Sequence, residues 1–345
     1  SVNSVRRVGE LAPVCTSGVE AIATADINGD GLLDAVTTDP TSTELTVAVG
    51  DGAGGFGVVP DLSVDVGSIP VDVVLEDINS DGTQDLITAN AGSDTVSVAL
   101  GDGSGNFGAV VDIGVGDNPV AVVVDDVNND SIQDILTANT DANSVSVSLG
   151  DGTGGFTPAI NVGVGTAPTD VVVGDLNGDN LLDFATTNSG SNSVSVAIGD
   201  GTGSFGAAVD VGVGTEPVAI AIGDLNQDSN QDLVTANLGS NNVSVLLGDG
   251  SGNFDPSVTL NVGVAPTDVA VVDFDANGTL DIVTSNQGSN NLSVLLGDGT
   301  GGFGAALSFE TGVTPTELSV GDVNQDGNPD VVTANSGSNN LSVLV

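Results

Sequence analysis

Short apolar runs alternate with clusters of Asp, Asn, Gly and Ser along nearly the whole chain, and the alternation is periodic. Residues 168–175, PTDVVVGD, form a continuous apolar run of strand length, as expected of a strand buried on both faces. An acidic nonapeptide follows, then FATTN (184–188), a polar GSNS turn, the alternating VSVAIG (194–199), the turn DGTGSF and the run AAVDVGVG (207–214). Each unit therefore predicts four short strands joined by turn residues, and no segment carries a 3.6-residue period. The nonapeptides begin at residues 26, 77, 126, 175, 224, 273 and 322, so the spacing is 51 once and then 49 five times. A four-stranded unit of this length repeated seven times predicts an all-β fold, a seven-bladed β-propeller of four-stranded blades. A calcium β-roll has a nine-residue repeat and does not match the period of 49. The repeat leaves no room for a second domain, so residues 1–345 are expected to form one propeller. The last unit reaches NNLSVLV, its third strand, whereas residues 1–12 precede the first strand of the first unit. The segment around residues 5–11 is thus expected to supply the fourth strand of the blade begun at Thr316, closing the ring 3+1.

The nonapeptide carries the candidate chemistry. It first reads DINGDGLLD and generally DxNxDGxxD. Position 1 is Asp26, Asp77, Asp126, Asp175, Asp224, Asp273 or Asp322, and position 9 is Asp34, Asp85, Asp134, Asp183, Asp232, Asp281 or Asp330. Position 3 is Asn28, Asn79, Asn128, Asn177, Asn226, Asp275 or Asn324, and position 5 is Asp30, Asp81, Asp130, Asp179, Asp228, Asn277 or Asp326. A tight turn near position 6 lets these side-chain oxygens converge with the position-7 carbonyl of Leu32, Thr83, Ile132, Leu181, Asn230, Thr279 or Asn328. With position 9 bidentate and one water, about seven oxygens result, which suits Ca²⁺ better than the octahedral, water-retaining Mg²⁺. Uncompensated carboxylates about 4 Å apart would repel by roughly 4 kcal/mol per pair at an effective dielectric of about 20. Up to seven Ca²⁺ ions are therefore expected. An EF-hand would need Glu at position 12, where Thr37 stands, and helices on either side. Loops that serve purely as Asn/Asp turns are the alternative reading. Position 6 is Gly31, Gly82, Gly278 or Gly327 in four loops and Asn180 in the fourth, while Ser131 and Ser229 should be strained there.

The unit, with DxNxDGxxD between its first two strands and GDGTGGF after its third, resembles the FG-GAP or VCBS repeat family, which includes the seven-bladed propellers of integrin α chains. The resemblance covers essentially the whole chain. It implies that each metal loop joins strands one and two on the lower face of its blade. Phe-Gly follows the turn at Phe56, Phe107, Phe205 and Phe303, but Phe156 and Phe254 precede Thr157 and Asp255, and TAN or TTN replaces the GAP element. In this the chain looks more like the bacterial VCBS type than an integrin.

Charge narrows the function. Two Lys+Arg against 47 Asp+Glu give a net charge of −45, and the two cations are Arg6 and Arg7. Nucleic acid and anionic membrane surfaces are thereby excluded as partners, and no apolar run approaches the 18 residues of a membrane span. Cys15 forms no internal disulfide, and SVNSVRRVGELAP lacks the apolar core of a signal peptide, which would have been removed or never present. Without His, Lys or Tyr, no Ser or Cys has an ordinary general base, so an enzyme is not expected. The GDGSGNF turns lack the following helix that a phosphate loop needs, and they predict hairpins with a Phe packed between blades. Asp72, Asp170, Asp268 and Glu317, each two residues after a Pro, either rim the central channel or are solvated strand starts. Asn90, Asn139, Asn188, Asn237, Asn286 and Asn335 are expected as turn residues on that side.

These observations predict a calcium-binding, non-catalytic adhesion or protein-interaction module. Weak multiple sites fill at extracellular calcium levels, which places it outside the cell or on its surface, with another protein or a surface glycan as partner. The alternatives are a lectin-like propeller that coordinates sugar through calcium, since Trp and Tyr are absent, and a structural domain of a salt-adapted surface protein.

Overall fold

The computed structural model describes residues 7–8, 21–52 and 56–345. Among them there is no helix, and the strands form seven four-stranded antiparallel sheets. The fourth blade is representative: strands Pro168–Gly174, Asp183–Asn188, Ser193–Ala197 and Val209–Gly212 pair in chain order, with Val171 opposite Thr186 and Val194 opposite Val211. Its second strand, DFATTN, is buried at every residue because neighbouring blades cover both faces, which explains the absence of a polar alternation. Its fourth strand lies at the rim and is largely exposed.

The apolar core is a set of seven interfaces, one between each pair of consecutive blades. Between blades four and five, Leu176, Ala185 and Val196 meet Ile220, Leu233 and Leu246. Between blades three and four, fully buried Phe184 stacks at a tilt on Phe205, the turn phenylalanine of the same blade, with centroids 4.9 Å apart. Phe107, Phe156, Phe254 and Phe303 pack against the same kind of interface.

The ring closes where the last interface joins Val332, Leu341 and Val343 to Ile22, Ala35 and Ala48. The seventh sheet takes its outermost strand from Arg7–Val8, with Arg7 opposite Leu344 and Val8 opposite Val343. The 3+1 closure read from the sequence is thus present, and the remainder of the segment assigned to it lies outside the described residues. Just after the proline that opens the first strand of blades two to seven, the pairing register slips, as between Pro70 and Asp72 or Pro168 and Asp170. This bulge re-aims the next side chain.

Candidate metal loops and an axial ring of acids

The seven acidic loops share one hydrogen-bond scaffold. The position-6 N–H donates to Oδ2 of the position-1 aspartate at 2.7–2.9 Å in every loop, and the position-5 N–H donates to its Oδ1 at 2.9–3.2 Å. The position-7 N–H donates to the position-5 side chain at 2.7–2.9 Å. The chain thereby wraps around its own carboxylates. The scaffold orients these oxygens, and some accept more than once, as Asp26 Oδ1 does from the N–H groups of Gly29 and Asp30 and Asp81 Oδ1 does from the N–H and hydroxyl of Thr83. Two backbone positions per loop are left-handed. At position 6 the φ angles include 83° at Gly31, 63° at Asn180, 67° at Ser131 and 71° at Ser229, so the two serines do occupy the strained conformation. Position 4 is left-handed as well, at Gly29, Ser80, Asn129, Gly178, Gln227, Ala276 and Gln325, and the sequence reading did not anticipate this.

Position 9 has a different setting. Asp34, Asp85, Asp134, Asp183, Asp232 and Asp281 are fully buried and Asp330 nearly so. Oδ2 of each accepts the position-2 N–H at 2.9–3.2 Å, and the position-2 side chain, such as Ile27 or Leu176, anchors the loop in the core. Oδ1 of the first six accepts the N–H of the glycine that opens the GDG turn, as Gly50 does at 2.9 Å and Gly101 at 2.8 Å. Burial raises these carboxyls, to about 6 at Asp134 and Asp330, the backbone donors lower them, and neighbouring loop carboxylates add to the rise. In the GDG turn itself, the second glycine is required. A Cβ on Gly52 would stand 2.8 Å from Leu32 Cδ2, and one on Gly201 would stand 2.8 Å from Leu181, so position 7 of the loop packs on the bare turn. That turn's aspartate is satisfied internally: Asp102 Oδ1 accepts from the N–H and hydroxyl of Ser104, and the carboxyl is held at about 2.

Loop six departs from the others. In six loops the position-3 Asn Oδ1 accepts the position-5 N–H at 2.8–2.9 Å. In loop six the residue is Asp275, whose Oδ1 is buried with no hydrogen-bond partner. Oxygens of Asp273, Asp275 and Asp281 all lie within 4.8 Å of one another, the one such acidic triad among the described residues.

At the other end of the propeller axis, Asp72, Asp170, Asp268 and Glu317 line one cavity of about 370 Å³ together with Thr169, Thr267 and Thr316. They are hydrogen-bonded clips rather than free strand starts. Val122 N–H donates to Asp72 Oδ2 at 2.7 Å, Ile220 to Asp170 at 2.8 Å, Leu318 to Asp268 at 2.7 Å and Ile22 to Glu317 Oε2 at 3.0 Å. Each acid so grips the first strand of the next blade. Ala21, Ala121 and Ala219 hold the equivalent place in the other three blades. Burial raises Asp72 to about 6, Asp268 to about 7, and Asp170 and Glu317 well above the usual carboxylate range, and neighbouring acids add to the rise at Asp170, Asp268 and Glu317. Nearby, the six asparagines read as turn residues are fully buried and structural: Asn90 Nδ2 donates to Ser97 Oγ at 2.9 Å and Asn188 to Ser195 at 2.9 Å, a pattern repeated in every blade from the second on.

Comparison with known proteins agrees with this architecture. No curated protein matches the chain. Among solved structures, a lectin from Agrocybe aegerita that recognises non-reducing terminal N-acetylglucosamine is similar at 22% identity and TM-score 0.60, over 85% of this chain and 80% of that one. Virginiamycin B lyase from Staphylococcus aureus, an inactive variant with quinupristin, is similar at 13% identity and TM-score 0.66 over 99% of both chains. BBS1N in complex with ARL6DN reaches TM-score 0.70 at 12% identity, over 99% of this chain and 96% of that one. At these identities the likeness shows the propeller fold alone. The FG-GAP-like repeat model matches residues 26–88, 77–137, 126–186, 175–235, 224–284 and 273–333, each window running from one acidic loop into the second strand of the next blade. The chain therefore belongs to the FG-GAP-like repeat family.

Proposed function

We propose that this propeller is a calcium-binding, non-catalytic interaction module that works outside the cell or on its surface, with another protein or a surface glycan as its partner. The observation that carries the reading is loop six, where Asp275 Oδ1 is buried without a partner beside Asp273 and Asp281. A buried carboxylate oxygen facing two further acids is costly unless a cation completes it. The donor set is entirely oxygen, and the sequence holds no His or Lys, which fits a hard dication. The residues that would hold Ca²⁺ are the side chains at positions 1, 3, 5 and 9 of each loop with the position-7 carbonyl. Bound there, the ion supplies charge neutralisation and cross-links loop to blade. The protein's own residues do the rest: the position-2 side chains seat the loops in the core, and the blade interfaces keep the face that carries them rigid.

A thermal melt in EDTA and with increasing CaCl₂ tests this. Each filled site adds about 2.7 kcal/mol when calcium is 100 times Kd, so the melt should rise by many degrees. Superimposed curves at low salt would reduce the loops to turns. A response to NaCl in place of calcium would favour the salt-adapted structural reading, and binding on a glycan array only with calcium would favour the lectin reading.

A further inference from the structure

We infer that Gln227 and Gln325 couple neighbouring loops, so that loops five and six take up cations as one pair and loops seven and one as another. This rests on the reading of the loops as calcium sites. Gln227 occupies position 4 of loop five, between the candidate ligands Asn226 and Asp228, with φ of 59°. Its Nε2 donates to the carbonyl of Gly278, position 6 of loop six, at 2.8 Å across the blade boundary. Its amide also lies against Gly299 in the GDG turn of the same neighbouring blade, 3.3 Å from where a Cβ would stand. Gln325 of loop seven repeats the arrangement, donating to Gly31 O of loop one at 3.1 Å.

The carbonyl engaged belongs to the peptide that holds the next loop's donors. The Thr279 N–H of that peptide donates to Asn277 Oδ1 at 2.7 Å, and the Gly278 N–H donates to Asp273 Oδ2 at 2.8 Å. In loop one, Leu32 N–H and Gly31 N–H hold Asp30 and Asp26 in the same way. A cation in loop five fixes Asn226 and Asp228, hence the backbone that carries Gln227. The amide then restrains the Gly278–Thr279 peptide, and loop six has less freedom left to lose when its own cation arrives. Coupling of this kind is reciprocal. Position 4 elsewhere is Gly29, Ser80, Asn129, Gly178 or Ala276, all shorter side chains, so the remaining neighbours lack this link.

The test is a Ca²⁺ titration of the isotope-labelled full chain, followed at the amides of Gly278 and Thr279 for loop six and of Asp228 and Ser229 for loop five. Silencing loop five with Asp224→Asn and Asp228→Asn should raise the loop-six midpoint roughly 2- to 10-fold, the range of one modest hydrogen bond. Gln227→Asn, which shortens the arm and matches the left-handed Asn129 of loop three, should raise it comparably, and in that background silencing loop five should add nothing. Gln325→Asn should do the same to loop one. Gln227→Asn alters no ligand and carries the test if the double variant fails to fold. A loop-six midpoint indifferent to loop five, or a dependence that survives Gln227→Asn, overturns the coupling and leaves calcium binding standing. If calcium shifts no loop amide, both readings fall together.

Discussion

Position 9 of the loops shows one residue type serving two purposes. Asp85 is fully buried and its two oxygens accept N–H groups from Ile78 and Gly101, so it fastens strand, loop and turn before any cation is considered. Asp81, at position 5, is exposed and satisfies its own turn. In EDTA, Asp85→Asn should cost about 1–3 kcal/mol, because a buried N–H then meets an NH₂ group, while Asp81→Asn should cost about 0.5 kcal/mol or less. Urea denaturation of the two variants measures the difference, and equal effects would mean that position 9 is no anchor. With CaCl₂ present, both substitutions should lower the melting temperature.

Among elements, the loops are unequal in a way that residue counts conceal. The sequence shows Asp and Asn exchanged at positions 3 and 5 of loop six with three carboxylates kept, whereas the fold shows that the exchange brings the third carboxylate to within 4.8 Å of Asp273 and Asp281. Asp275→Asn should therefore have opposite signs under two conditions: a higher melting temperature in EDTA, where repulsion is relieved, and a smaller gain from CaCl₂. Paired melts check this, and a change of the same sign in both would exclude convergence of the triad on a cation. The contiguous parts of the design were readable because strand runs, turn residues and the nonapeptide encode local geometry within a few positions. The buried role of Asp34 depends on Gly50, sixteen residues away, and that of Asn90 on Ser97, seven away. Both spacings recur from blade to blade and were an available signal. Links between blades, such as Gln227 to Gly278 or Asp72 to Val122, join residues about one repeat apart and become visible only once the ring is built.

For the molecule as a whole, buried acids set the response to pH. The axial carboxyls titrate higher folded than unfolded, Asp72 at about 6 and Asp268 at about 7 against 3.8, chiefly through desolvation. A raised folded value contributes stability that is complete below the unfolded value and lost as pH rises through the folded one. The position-9 carboxyls act in the same direction. Metal-free protein should thus be more stable near pH 5 than near pH 7.5, by on the order of 1.4 kcal/mol from Asp72 alone, since about one pH unit separates pH 5 from its folded value of about 6. Denaturation at fixed ionic strength tests this, and Asp268→Asn should flatten the profile; stability that climbs toward pH 7.5 would contradict it. Closure is a second property of the whole. Removing residues 1–12 uncovers the edge of Asn340–Leu344, so the truncated chain should melt lower and associate with rising concentration. An unchanged melting temperature would argue against the pairing of Arg7 with Leu344.

The axial clips also raise a question of parity. Along the first strands, the gripping position reads Ala21, Asp72, Ala121, Asp170, Ala219, Asp268 and Glu317, a two-blade rhythm laid on a ring of seven. An odd ring cannot close a rhythm of two without a fault, and the fault falls between blades six and seven, where two acids adjoin. There the longer glutamate takes over and reaches Ile22 across the seam. The same rhythm in six or eight blades would close without an exception. A blade count changed by one should therefore relieve the axial fault, whereas a count changed by two should keep it.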